Sequence, residues 1–251
     1  MSRRGGRQGP VGGLAGERPW VIANFALTWD GRISTRERSP SGFGSEEDRR
    51  RLLAIRAQGD AVLVSGVTLR VDRMTLGMPD EELRRIRLER GQREYPLRVV
   101  VSGSGHVDPQ GKVFTGGEGA PVVVYTTSRM ATGVRAALAG VAELRVWEAE
   151  DARLDLGRVL MSLREEFGVR SVVCEGGGEL LAGLLRAGCV DELCTTLCPL
   201  IFGGKRGISL SGGPGDWLGT SVRLRLDKME TIGAELFVKW RVPGASRRKK
   251  S

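Results

Sequence analysis

Three short segments carry residues whose types and order could do chemistry. The first is Val173-Cys174-Glu175-Gly176-Gly177-Gly178-Glu179-Leu180. An apolar strand pattern runs into three glycines, and a helical pattern begins at once. Backbone without side chains lets a phosphate approach the N–H groups at the positive end of a helix. The spacing is not G-x-G-x-x-G, so the ordinary dinucleotide fingerprint is not what carries this reading. The plain alternative is a tight strand-to-helix turn. Three consecutive glycines weaken both neighbouring elements, which favours a ligand site.

The second segment, Val62 to Asp72, brings Ser65, Gly66, Thr68 and Asp72 to the end of another apolar run. Ligands of open α/β sheets bind at the carboxyl ends of the strands, where these hydroxyls and this carboxylate would lie. Equally, Thr68 reads as a cap and Asp72 as a solvated turn acid. The third segment runs from Asn24 to Ile33. Asn24 interrupts an apolar strand, and a buried amide must bond to backbone or to a ligand. Asp30 and Arg32 flank Gly31, in what is also a good turn.

The elements that must position these groups alternate along the chain. Trp20–Trp29, Asp60–Ser65, Leu97–Ser102, Pro121–Thr127, Ser171–Cys174 and Asp191–Leu200 read as strands, most of them continuously apolar. Ser45-Glu46-Glu47-Asp48 reads as a helix start, with an N-cap serine and acids in the first turn. Further helices are expected over Pro79–Arg93, from Ser128 to about Gly140, over Leu154–Phe167 closed by Gly168, and from the triple glycine to Ala187. A glycine-rich loop, 201–219, leads to two terminal strands, Val222–Leu226 and Ala234–Trp240. This order predicts an α/β domain: a mixed, mainly parallel sheet with helices on both faces and a C-terminal antiparallel strand pair.

Composition agrees with one folded domain. Of 251 residues, 40% are hydrophobic and 27% charged, enough to bury a sizeable core. The domain is expected over 19–242, between basic tails at 1–18 and 243–251 that read as solvated and disordered. No apolar run approaches the roughly 18 residues that span a bilayer, and the Arg/Gly-rich start lacks a secretory core. The four cysteines lie in apolar segments as small core residues of a cytoplasmic protein. Only Cys194 and Cys198 are closely spaced and the single His106 is distant, so no metal site is expected. The net charge of +9 would attract a phosphorylated ligand. Nucleic-acid binding wants interleaved aromatics, which are only 5%.

These segments, in this order, resemble the reductase domain of the riboflavin-biosynthesis deaminase/reductase family and its stand-alone archaeal counterparts. The matching blocks are Thr28-Trp29-Asp30-Gly31-Arg32, Ser45-Glu46-Glu47-Asp48-Arg49, Val64-Ser65-Gly66-Val67-Thr68 through Asp72, and Glu175 to Gly178. Gly188 to Leu193 and Cys198-Pro199-Leu200-Ile201-Phe202-Gly203-Gly204 complete the set. The resemblance implies a dihydrofolate-reductase-like fold, a homodimer, and NADPH reduction of the ribosyl group of a phosphoribosylamino-pyrimidine to ribityl. It implies that Ser65, Gly66, Thr68, Asp72, Gly176, Gly177 and Gly178 hold NADPH, with Ser102 and Gly103 assisting. Asn24, Asp30, Arg32 and Ser45 would line the substrate side. Asp30 or Glu175 would orient the amine or stabilise iminium charge.

Departures from the family pattern touch mainly the substrate side. The proline expected after Asp72 is absent, and Met78 stands where the family tends to place a phosphate-binding arginine. Arg73 could substitute, because a guanidinium clamps a phosphate bidentately. The lysine of the first turn is Arg32, and no deaminase zinc signature occurs. Two other readings remain open: a reductase of a pterin such as dihydrofolate on the same fold, and a non-catalytic, nucleic-acid-binding relative.

Overall fold

The computed structural model describes residues 18–35, 43–116, 119–149, 153–204, 207–212 and 218–244. Its strands are β1 (Trp20–Thr28), β2 (Ala61–Ser65), β3 (Leu97–Ser102), β4 (Val122–Thr127), β5 (Glu143–Trp147), β6 (Ser171–Cys174), β7 (Glu192–Cys198), β8 (Arg225–Ile232) and β9 (Glu235–Arg241). Its helices are α1 (Glu46–Arg56), α2 (Gly66–Asp72), α3 (Glu81–Glu89), α4 (Lys112–Thr115), α5 (Thr132–Leu138), α6 (Leu156–Phe167) and α7 (Gly178–Arg186). The strands form one sheet in the order β5-β4-β3-β2-β6-β1-β7-β9-β8. All pairs are parallel except β7 with β9 and β9 with β8.

The apolar runs explain the layering. In β3 and β4 every residue is buried, the mark of parallel strands covered on both faces. On one face, Val21, Ala23 and Phe25 of β1 and Leu63 of β2 pack against Val159, Leu160 and Leu163 of α6 and Leu180, Leu181 and Leu184 of α7. On the other, Val62 and Val64 of β2 meet Leu69 of α2 and Leu138 of α5, while Ile22 and Val173 meet Ile55 of α1. Helices thus cover both faces, and the expected mixed sheet with its C-terminal antiparallel pair is what forms. Asp155 caps α6, and Gly168 ends it at φ 67, a left-handed position that suits glycine. Cys174, Cys189, Cys194 and Cys198 are free and buried, and burial pushes the Cys174 and Cys198 thiols up to about 12.

Four boundaries differ from the sequence reading. Residues 65–72 form a short helix rather than a turn. The helix expected from Ser128 starts at Thr132, because Met130 N–H donates to Thr127 O and closes a turn first. The first terminal strand is β8, Arg225–Ile232, not Val222–Leu226; a register shift between Leu226 and Lys228 breaks the two-residue alternation that would have revealed it. Arg18, placed in the N-terminal tail, belongs to the domain: its guanidinium pairs with Asp191 at 2.6 Å. The rest of both tails, 1–17 and 245–251, lies outside the described residues.

Candidate active site

The site forms where β2 and β6 end side by side and their following helices part. α2 packs on one face of the sheet and α7 on the other, leaving a crevice at the carboxyl ends, where open α/β sheets bind ligands. Ser65 caps α2: its Oγ accepts from Thr68 N at 3.1 Å and lies 3.0 Å from Thr68 Oγ1. Ser65 N donates to Gly176 O at 3.0 Å, which locks the two strand ends together.

The glycines permit this contact. A Cβ on Gly177 would lie 2.8 Å from Thr68 Oγ1, and one on Gly176 3.0 Å from Thr68 Cγ2. Gly176 also sits at φ 142, outside the range of most side-chain-bearing residues. The two helix starts are thereby brought against each other. α7 begins on Gly177 without any side-chain cap, so its positive end is left to other acceptors. Gly178 serves a different contact, since a Cβ there would lie 2.6 Å from Ser209 O of the glycine-rich loop.

The remaining cofactor candidates divide. Gly66 packs against Ser102, 3.0 Å from the position of its would-be Cβ, which brings α2 onto the end of β3. Gly103 accepts from Thr127 Oγ1 at 2.6 Å and belongs to the β3–β4 contact. Asp72 lies at the far end of α2, one helical turn beyond Thr68, about 6 Å along the axis at 1.5 Å per residue. Partial burial pushes its carboxyl up.

Residues that the sequence reading passed over line a further cleft. A cleft of 280 Å³ is lined by Arg70 of α2, Ser104, His106 and Arg129, with Val107 and Val134 as its apolar wall. Arg70 was hidden because α2 itself was read as a turn. Nothing in the sequence linked Arg129 to it, since β3 and β4 must pair before the two arginines face one cavity.

On the substrate side the structure reassigns several groups. Asp30 accepts from Thr28 Oγ1 at 2.6 Å, Phe202 N at 3.1 Å and Gly203 N at 2.7 Å. These bonds hold its carboxyl at about 2, so it is an anion and cannot donate a proton near neutrality. Arg32 donates to Gly204 O at 2.7 Å and Gly207 O at 2.9 Å. Together they clamp the loop after β7, carboxylate on amides and guanidinium on carbonyls. Ser45 is the cap of α1, and it donates from N and Oγ to Glu235 at 2.9 and 2.5 Å. Asn24 lines a separate cavity of 120 Å³ between α1 and β7/β9, with Arg51, Ile55 and Phe237. Arg73 is exposed, at the left-handed end of α2.

Glu175, expected as a reacting carboxylate, is bound by Arg56. Its two oxygens accept from Arg56 Nε at 2.8 Å and Nη2 at 2.7 Å, and the two side chains are only 1% and 7% exposed. Such a bidentate pair fixes the angle of the Glu175 carboxylate beside the glycine turn.

Against known families, residues 19–238 match the model of the RibD C-terminal domain. The chain is 32% identical over 228 residues to a 2,5-diamino-6-ribosylamino-4(3H)-pyrimidinone 5′-phosphate reductase of Methanothermobacter thermautotrophicus, covering 90% of this chain and all of that protein. A reductase of the same name from Archaeoglobus fulgidus is 32% identical over 86% of this chain and 94% of its own length. Among solved structures, a pyrimidine reductase-like protein from Corynebacterium diphtheriae shares the fold at a TM-score of 0.78 and 20% identity, over 89% of this chain and 92% of that one.

Proposed function

The chain belongs to the RibD C-terminal domain family, and on that premise we propose that it is an NADPH-dependent reductase of 2,5-diamino-6-ribosylamino-4(3H)-pyrimidinone 5′-phosphate. It would convert the ribosyl group to ribityl in riboflavin biosynthesis. The relatives of similar length carry this substrate in their names, which favours it over a pterin such as dihydrofolate.

The observation that carries the cofactor reading is the meeting of the α2 and α7 starts beside a cleft with two arginines. The uncapped amides of α7, with the hydroxyls of Ser65 and Thr68, suit a pyrophosphate. Arg70 and Arg129, with Ser104, suit the additional phosphate that separates NADPH from NADH. Bound there, the nicotinamide supplies a hydride. The chain supplies position: α2 and α7 fix the phosphates, and the Asp30–Arg32 clamp holds Phe202, Gly203, Gly204 and Gly207 of the loop whose Ser209 meets Gly178. Asp30 contributes fixed negative charge at this edge, which favours a cationic imine over a neutral one.

For a partner we propose a second copy, meeting along β8. That edge strand has no outer neighbour among the described residues and exposes Leu226, Met229 and Ile232. No helix among the described residues is long and apolar enough to cross a membrane. Four free, buried thiols suit a reducing compartment, and we place the enzyme in the cytoplasm.

The test mixes purified protein with NADPH and either the phosphoribosylamino-pyrimidinone or dihydrofolate, and follows loss of reduced-nicotinamide absorbance. Turnover of the pyrimidinone alone supports the reading. Turnover of dihydrofolate alone, or of neither, sinks it.

A further inference from the structure

The connection from α2 to α3 has no regular structure, yet it carries two fully buried side chains, Leu76 and Met78. Leu76 stands at φ 57, a left-handed position that a branched side chain adopts only when its surroundings impose it. What imposes it is a row of arginines from three other elements. Arg98 of β3 reaches Thr75 O at 3.5 Å, Arg56 of α1 binds Gly77 O, and Arg84 of α3 binds Met78 O at 2.8 Å and Pro79 O at 2.9 Å. All three have further partners, Arg84 on Glu94 and Arg98 on Val113 O and Ala120 O, and that of Arg56 lies at the glycine turn. The other edge of its guanidinium takes both oxygens of Glu175, the residue that opens the glycine turn.

We infer that Arg56 is a positioning residue for hydride transfer: through Glu175 and Gly77 it sets α1, the glycine turn and the segment after α2 in one register. The inference rests on the reductase reading above. Its physical ground is that one planar, rigid group on α1 touches both the glycine turn of the proposed cofactor site and the segment that follows α2. Desolvating two charges is expensive, and an apolar pair of similar volume is often at least as stable in such a place. A pair that served stability alone would therefore be replaceable. The bidentate fork does something an apolar pair cannot: it fixes the angle of Glu175, and so of Gly176 and Gly177, relative to the Gly77 carbonyl. Sub-ångström errors between a hydride donor and its acceptor are felt directly in rate.

The experiment compares the full chain with Arg56→Lys, Glu175→Gln and the apolar double variant Arg56→Met/Glu175→Leu. The double variant is expected to melt close to the parent, while kcat falls tenfold or more and KM for NADPH changes less. The deuterium isotope effect on kcat with 4-deuterated NADPH should rise, because the hydride step becomes limiting. Amide exchange over 74–80 and over 175–180 should speed up together. A double variant that turns over at the parental rate, or whose exchange in those two segments stays parental, overturns the inference. Should it not fold, Arg56→Lys decides, since it keeps the charge and loses the fork: an unchanged kcat and isotope effect overturns the proposal. If the parent itself reduces no substrate, the reductase reading fails by that result. The exchange comparison still decides whether Arg56 holds the two segments in register.

Discussion

At the scale of single residues, charge and hydrogen bonding separate the groups that can meet a ligand from those that hold the frame. Arg70 and Arg129 line a cleft with a serine, a histidine and Asp108, and we propose that they take the additional phosphate of NADPH. Replacing either by alanine should raise KM for NADPH by about 10- to 100-fold, the worth of a charge-assisted hydrogen bond of roughly 1.5–3 kcal/mol, and leave KM for NADH nearly unchanged. Equal losses for both nucleotides would place the extra phosphate elsewhere. Asp30 holds the frame and, on the proposal above, also sets charge near the imine. Asp30→Asn should raise proteolysis and amide exchange at Phe202 and Gly203, whose amides it holds. Its folded-state carboxyl is depressed to about 2 from an ordinary 3.8. The clamp's stabilisation is therefore complete above the ordinary value and is lost as pH falls through the folded one. A variant with an intact loop but no hydride transfer would restore Asp30 to the reacting centre. The sequence singled out Asp30, Arg32 and Glu175, because an acid or base at a strand end is conspicuous. It did not show that their partners would be backbone amides, loop carbonyls and Arg56, since those contacts join residues far apart in the chain.

Elements carry the next level of the argument. The triple glycine was legible in the order of residues, and contacts within the protein supply part of its reason. Gly176 and Gly177 let α2 touch the start of α7, and Gly178 admits the loop at Ser209. Gly177→Val should push Thr68 away and separate the two helix starts. We expect a loss of about 1–3 kcal/mol in stability, the usual penalty for overpacking, and a larger loss in NADPH affinity measured by fluorescence titration. Retained affinity would show that the phosphates do not sit between these helices. Continuous runs such as Val122–Thr127 gave the buried strands away, and Ser45 gave away α1. The short α2 escaped because Gly66, Val67, Thr68 and Val71 are weak helix formers. It is a helix by virtue of its Ser65 cap and the burial of Leu69.

The molecule as a whole ends in a strand that is exposed on both faces. β8 shows Leu226, Met229 and Ile232 among charged neighbours, and a long open edge is a template for pairing with another chain. If a second copy covers it, Met229→Lys should shift the protein from dimer to monomer in sedimentation. A parent that is already monomeric at micromolar concentration would refute the proposed interface. Such a strand was hard to read in the sequence, since half of it is charged and its alternation is interrupted.

Position within the sheet also dictates when the chain can finish folding. β1 lies between β6 and β7, so the first strand to leave the ribosome must wait for partners encoded in the final third of the polypeptide. The half built from β2, β3, β4 and β5 can close on itself meanwhile, while Trp20–Thr28 stays unpaired and open to chaperones or to misassociation. Pulse labelling during synthesis should show the amides of that strand protected last, and early protection there would mean that a non-native partner holds it.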